Sequence, residues 1–268
     1  MQKLGVVEDT LFVPMLGRIY ASEHCPQILY DKKALELKNK LPSDLIEQNK
    51  QNQYTLLASA SRSANMDQII RTFLERRPDG VIVQLGCGLE TTYHRCDNGK
   101  THWYAVDLPH VIQYRRGLLP EPERECYISG NAFAKDWIKK VRDEVLDTPI
   151  LVIAGGLFHY FEENKVIALL RMIGQFGNME VVFDTVNRKG MAMMQKKYMK
   201  QVGHADAQMF FYVDAAKELA AKIRGNVKVI AEEPYYRYIP KNGLKLSTKV
   251  SMAVSDQFKM VKMIHLKL

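Results

Sequence analysis

The sequence predicts an α/β fold built on a seven-stranded, mainly parallel sheet. Three observations predict it. Short apolar runs alternate with amphipathic helical stretches from about residue 80 onward. Several of those runs are rich in Val, Ile and Leu without alternation, the pattern of strands buried on both faces of a parallel sheet. The first run ends in a Gly-x-Gly turn, Gly86-Cys87-Gly88. With 268 residues, 47% hydrophobic and 25% charged, the chain suits one large domain with an insertion, or two small ones.

Taken in order, residues 1–77 read as a helical cap, with helices over about 14–24, 30–41 and 64–77 and with Asp31 and Ser43 as starts. Residues 78–268 carry the sheet. Its strands are expected at Gly80–Leu85, Thr101–Asp107, Glu125–Ser129, Pro149–Ala154, Glu180–Thr185, Val227–Glu232 and Phe258–Leu266. The first, fourth and fifth belong in the middle of the sheet. Lys259, Lys262 and Lys267 mark the last as a charged edge strand. Helices fill the gaps at about 110–118, 134–146, 162–176 and 214–224. The Pro/Gly/Tyr-rich stretch from Glu233 to Leu246 suggests a C-terminal antiparallel hairpin. Segment 187–212, with Met191, Met193, Met194, Tyr198, Met199, Met209, Phe210 and Phe211, is apolar and pliable; it reads as a lid or as a packing helix.

No apolar run approaches the roughly 18 residues of a membrane span, and Glu8 and Asp9 stand ahead of any signal-like stretch, so a cytoplasmic protein without a membrane partner is expected. Cys25, Cys87, Cys96 and Cys126 form no C-x-x-C pair and have no histidine cluster beside them, which argues against zinc or a disulfide framework. The net charge of +8 is scattered among acids, as in Lys135-Asp136, and reads as solvated helix faces rather than a nucleic-acid surface.

The chemistry concentrates after the first strand. Glycines at 86 and 88 let the backbone turn tightly and approach a ligand, and the following helix would offer unpaired N–H groups. Asp107 ends the second strand, where a carboxylate can accept both hydroxyls of a ribose. A dinucleotide site prefers a small residue three positions after the second glycine; Thr91 stands there, followed by Thr92 and Tyr93, which tilts the choice toward S-adenosylmethionine. After the third strand, Asn131 can read an adenine edge, with Phe133 or Leu108 over its face, or can cap the next helix.

These segments together resemble the leucine carboxyl methyltransferase superfamily, in particular its bacterial branch of tetracenomycin-type polyketide O-methyltransferases. The matching stretches are Asp9-Thr-Leu-Phe-Val-Pro-Met-Leu-Gly-Arg18, Ile28-Leu-Tyr-Asp31-Lys-Lys-Ala34, and Arg62 with Met66-Asp67. They continue through Leu85-Gly-Cys-Gly-Leu-Glu-Thr91, Tyr93-His-Arg95, Val106-Asp-Leu-Pro109 and Arg115-Arg116. Asn131-Ala-Phe-Ala-Lys-Asp136-Trp137-Ile138 and Ala154-Gly-Gly-Leu-Phe-His-Tyr160-Phe161 complete them. The resemblance implies a Rossmann-like class I methyltransferase sheet under an N-terminal helical cap (residues 9–45). It implies that Arg62 binds the carboxylate of S-adenosylmethionine, with Gly86 and Gly88 under its methionine portion. Asp107 would hold the ribose, and Asn131 with Ala132 would meet the adenine. Arg18 would reach the same carboxylate or form an ion pair. Gly155, also counted among the cofactor-binding residues, stands where many members carry Glu, a departure that removes a side chain and widens the pocket. Tyr160 would touch substrate or pack the helix that follows.

A carboxylate acceptor needs no general base, whereas a phenol or alcohol does. His159 and Tyr160 are the leading candidates, with Asp184 and His94 behind them. Ala154-Gly-Gly-Leu replaces the [ND]-P-P-[YFW] tetrapeptide by which amino-methylating enzymes grip a planar amine, which favours O-methylation of a small molecule. An NAD-type oxidoreductase and a noncatalytic binder of the cofactor are the rival readings, and a protein carboxyl group is the rival acceptor. The sequence leaves the oligomeric state open.

Overall fold

The structure, a computed structural model, describes residues 6–42, 51–201 and 208–268. The helix start expected at Ser43 lies outside the described residues, as do residues 202–207 of the expected lid. Seven strands form one sheet: β1 Val81–Leu85, β2 Trp103–Asp107, β3 Glu125–Ser129, β4 Ile150–Ala154, β5 Met179–Val186, β6 Lys228–Pro234 and β7 Val261–Lys267. Their order is β3-β2-β1-β4-β5-β7-β6. The first five are parallel, and β7 runs antiparallel to both β5 and β6. The order reverses between β1 and β2 on one side and β4 on the other, so ligand-binding loops gather at the carboxyl ends of these strands.

β1 and β4 are buried at every position because helices cover both faces. On one face Val81, Val83 and Leu85 pack with Trp137 and Ile138 of α6 (Asp136–Val145), with α7 (Glu163–Gly174), and with Leu219 of α9 (Ala216–Ile223). On the other, Ile82, Leu151, Ile153 and Val182 pack with Ile70, Phe73 and Leu74 of α3 (Gln53–Arg76). The N-terminal helices α1 (Val6–His24) and α2 (Lys32–Leu37) join α3 through Phe12, Met15, Leu16, Leu37 and Leu56.

Several expectations are corrected. β7 is an interior strand, not the edge. Lys262 is buried and its Nζ donates to Glu232 Oε1 at 2.6 Å and to the Asp214 carbonyl at 2.7 Å, while Lys259 precedes the strand and Lys267 is exposed at its end. The edge on this side of the sheet is β6, whose pairing with β7 slips between Val229 and Ala231, and Ile230 is exposed there. α1 starts at Val6, so Pro14 lies inside it. α3 begins well before residue 64, capped by Asn52, whose side chain accepts the Thr55 N–H at 3.0 Å, and its Ser61 and Ser63 are buried. α10 (Leu246–Gln257), rich in Ser, Thr and Val, was not expected at all, and it separates the antiparallel pair β6 and β7. The remaining α-helices among the described residues are α4 (Thr92–Cys96), α5 (Pro109–Leu118) and α8 (Arg188–Gln201). Among the described residues no helix is long and apolar enough to cross a membrane.

Candidate functional site

Gly86 and Gly88 have φ of +61° and +46°, the left-handed region that a side chain would strain. The N–H groups of Gly86 and Cys87 donate to the Val106 carbonyl at 2.9 and 3.3 Å, which folds the turn onto the end of β2. There the Asp107 carboxylate closes it. Oδ2 accepts the Gly88 N–H at 2.8 Å and Oδ1 accepts the Leu108 N–H at 2.7 Å. Burial raises the pKa of Asp107, an effect the two N–H donors oppose. The end of β3 joins the group because the Gly130 N–H donates to the Asp107 carbonyl at 2.8 Å.

Beyond that point, Asn131 Oδ1 accepts the Phe133 N–H at 2.9 Å, closing a local turn. It does not cap α6, whose N-cap is Lys135, so that alternative falls. Ala132 is buried and its carbonyl accepts Trp137 Nε1–H at 2.9 Å. Phe133 packs at 4.1 Å between ring centroids on Phe161, and Leu108 is exposed.

The loop after β4 carries the second half. Gly156, at φ +69°, lies directly beneath the guanidinium of Arg62, which any Cβ there would strike. Asp184 of β5 fixes both: Oδ1 accepts the Gly156 N–H at 2.6 Å, and Oδ2 stands 3.6 Å from Arg62 Nη1 and 3.3 Å from His159 Nε2. Burial alone would raise the pKa of Asp184, but Arg62 and His159 hold it well below the carboxylate range. Burial would likewise lower that of Arg62, and Asp184 with Tyr235 and Glu90 more than offsets it. His159 is buried and its Nδ1 has no hydrogen-bond partner among the described residues. Its carbonyl accepts the N–H of Phe210 at 2.8 Å, which ties the tail of segment 187–212 to the site. Tyr160 packs against Val186, Met191 and Met209 at the base of that segment.

The two halves touch. A Cβ on Gly86 would come within 2.9 Å of Leu157 Cδ1, and one on Gly88 within 3.0 Å of Leu11 Cδ2, so the β4 loop and α1 both lie over the glycine turn. Leu157 thus meets Gly86, and Gly156 beside it meets Arg62, which brings the glycine turn, the β4 loop and Arg62 together. The space expected at Gly155 is not open, however: Met66 Sδ would be 3.1 Å from an added Cβ. His94 leaves the group altogether, because it lines a separate surface cavity of about 390 Å³ with Tyr30, Lys32, Lys33, Glu36, Arg71 and Arg95.

The helix expected right after the glycines is also different. α4 has five residues and starts at Thr92, and the buried Thr91 hydroxyl donates to Asp31 instead of facing a ligand. Around it lies a buried ion network that sequence reasoning missed. Arg95 reaches Asp31 at 2.6 Å, Asp67 at 2.7 Å and Glu90 at 3.0 Å. Arg18 reaches Glu90 at 2.9 Å, Asp31 at 3.2 Å and the Leu89 carbonyl at 2.8 Å. Arg18 is therefore an ion-pair residue. Despite burial, Arg18 and Arg95 keep Glu90 ionised, with its pKa far below the usual range.

Residues 6–174 match the family described as leucine carboxyl methyltransferase. The chain is 29% identical over 186 residues to the tetracenomycin polyketide synthesis O-methyltransferase TcmP of Streptomyces glaucescens, covering 69% of this chain and 67% of that one. In fold it is similar to a DUF574 family protein from Streptomyces avermitilis, with a TM-score of 0.60 at 12% identity over 94% of this chain and 96% of that one. It is also similar to the plantazolicin methyltransferase BamL, with a TM-score of 0.54 at 9% identity over 98% of each chain.

Proposed function

Because the chain belongs to the leucine carboxyl methyltransferase family and is an S-adenosylmethionine-dependent methyltransferase, we propose that it methylates an oxygen of a small molecule, a hydroxyl or a carboxylate. The supporting observation is the Arg62 guanidinium lying over Gly156, in the loop after β4 where amino-methylating enzymes hold a flat amine. The relative TcmP, an O-methyltransferase of polyketide synthesis, supports the same acceptor class.

The residues present fit the cofactor. A carboxylate has about four acceptor sites; Asp107 uses two on backbone N–H groups, which leaves acceptors for both ribose hydroxyls. Arg62, whose guanidinium lies over Gly156, would hold the methionine carboxylate. Gly86 and Gly88 would underlie the methionine chain, Leu108 and Phe133 would flank the adenine, and Asn131 with Ala132 would meet its edge. Glu90 beside the turn would repel a pyrophosphate, which disfavours a dinucleotide there. When bound, the cofactor supplies a methyl group on a positively charged sulfur, so the protein's work is alignment and exclusion of water.

For a hydroxyl acceptor a base is needed. His159 is the candidate, because Asp184 faces Nε2 and leaves Nδ1 without a protein partner. Tyr160 packs with Met191 and Met209 of segment 187–212, and these side chains would form the apolar face of an acceptor lid. The test is transfer from methyl-labelled S-adenosylmethionine to a panel of aryl alcohols, aryl carboxylic acids and aryl amines. Label on oxygen is expected, alkali-stable in an ether and released as methanol from an ester; label on nitrogen, or only on added protein, contradicts the proposal.

A further inference from the structure

The exposed side of α10 carries a ridge that nothing among the described residues covers. Leu246, Val250, Val254 and Phe258 recur every fourth residue and are 77%, 53%, 44% and 54% exposed, while Thr248, Met252 and Ser255 bury the opposite side. Ser247, Ala253 and Gln257 fill the rest of the exposed side, so no fully exposed position from Leu246 to Phe258 bears a charge. At 1.5 Å per residue the ridge is about 18 Å long. Soluble proteins rarely leave a contiguous apolar surface of this kind open without a partner.

Cations border it. Lys245 precedes the helix, Lys249 sits on its flank, Lys259 follows Phe258, and Lys189 Nζ lies 5.9 Å from the Phe258 ring centroid. None of the four holds an ion pair among the described residues. The helix's one acid, Asp256, is half-buried and accepts the Tyr236 N–H at 2.9 Å, so it is engaged inward.

We propose that this ridge docks the protein on the surface of an anionic lipid bilayer, with the four apolar side chains entering the acyl boundary and the lysines meeting phosphate headgroups. A convex ridge bordered by one sign of charge suits a soft, oppositely charged surface. A second copy would set lysines against lysines across a two-fold axis, and a nucleic acid would leave the leucine, valines and phenylalanine unmatched. The lack of a spanning helix among the described residues concerns crossing a membrane, not lying on one. The inference is independent of which acceptor the enzyme methylates.

The test is co-sedimentation of the full chain with vesicles of phosphatidylglycerol and, separately, of phosphatidylcholine. Binding to phosphatidylglycerol, weakened by salt and absent or much weaker on phosphatidylcholine, is expected. The double variant Val250→Asp, Val254→Asp should lose at least about tenfold in partitioning, and Lys245→Glu, Lys249→Glu should lose the preference for phosphatidylglycerol. Both variants should keep the wild-type thermal shift with S-adenosylhomocysteine, which reports an intact fold. Wild type left in the supernatant, or the aspartate variant binding as well as wild type, overturns the proposal. So does a lipid-free dimer in sedimentation velocity that the aspartate variant abolishes.

Discussion

The Asp107 carboxylate accepts the backbone N–H of Gly88 at 2.8 Å, so the end of the second strand is fastened to the turn that follows the first. Replacing Asp107 by Ala removes this bond, the bond from Leu108 and the proposed ribose acceptor together. Calorimetry should show S-adenosylhomocysteine affinity falling at least about 100-fold, equivalent to about 2.7 kcal/mol, with far-UV circular dichroism unchanged. Unaltered affinity would remove Asp107 from the site.

Gly156→Ala should act through Arg62. The residue's φ of +69° is unfavourable for alanine, and the new methyl group meets the guanidinium. A stability loss of about 1–3 kcal/mol is expected in urea melts, together with weaker S-adenosylhomocysteine binding. Arg62→Ala should weaken binding too, but without the backbone strain. Equal affinity in both variants would place the carboxylate partner elsewhere.

The buried network gives a signed pH dependence. Glu90 and Asp184 have folded pKa values depressed below their unfolded ones. Their stabilisation is fully present above the unfolded values of about 4 and fades as pH falls through the depressed folded values. Stability should therefore decline steeply with pH below about 4. In Arg95→Met, Asp31, Asp67 and Glu90 lose a shared cation, at a cost of about 3–5 kcal/mol near neutrality, and the acid-side decline should become shallower. An unchanged urea midpoint would show the network to be dispensable.

His159→Gln distinguishes the acceptor types. With a hydroxyl acceptor, kcat should fall about 10²–10⁴-fold, with cofactor affinity intact. With a carboxylate acceptor it should scarcely change. A loss of cofactor affinity instead would make His159 a structural partner of Asp184.

Much of the architecture was legible because it is written in local pattern. The buried runs of β1, β4 and β5 and the Gly86-x-Gly88 turn followed by Asp107 depend on neighbours in sequence. What escaped depends on partners far apart. Lys262 reads as an edge lysine until Glu232 and the Asp214 carbonyl are brought to it. Arg95 meets Asp31 across 64 residues, and nothing in either stretch announces the pairing. α10 escaped for the opposite reason: its serines and β-branched residues favour other conformations locally, and burial of Thr248, Met252 and Ser255 overrides them. Gly155 taught the same lesson on a small scale, since the room left by a missing side chain was taken by Met66 from α3.

The most direct measurement is a crystal structure with S-adenosylhomocysteine. The ribose hydroxyls should lie on Asp107, the homocysteine chain over Gly86 and Gly88, and its carboxylate on Arg62, with the sulfur facing His159 and Tyr160. A ligand bound away from the glycine turn, or one whose ribose makes no contact with Asp107, would contradict the assignment.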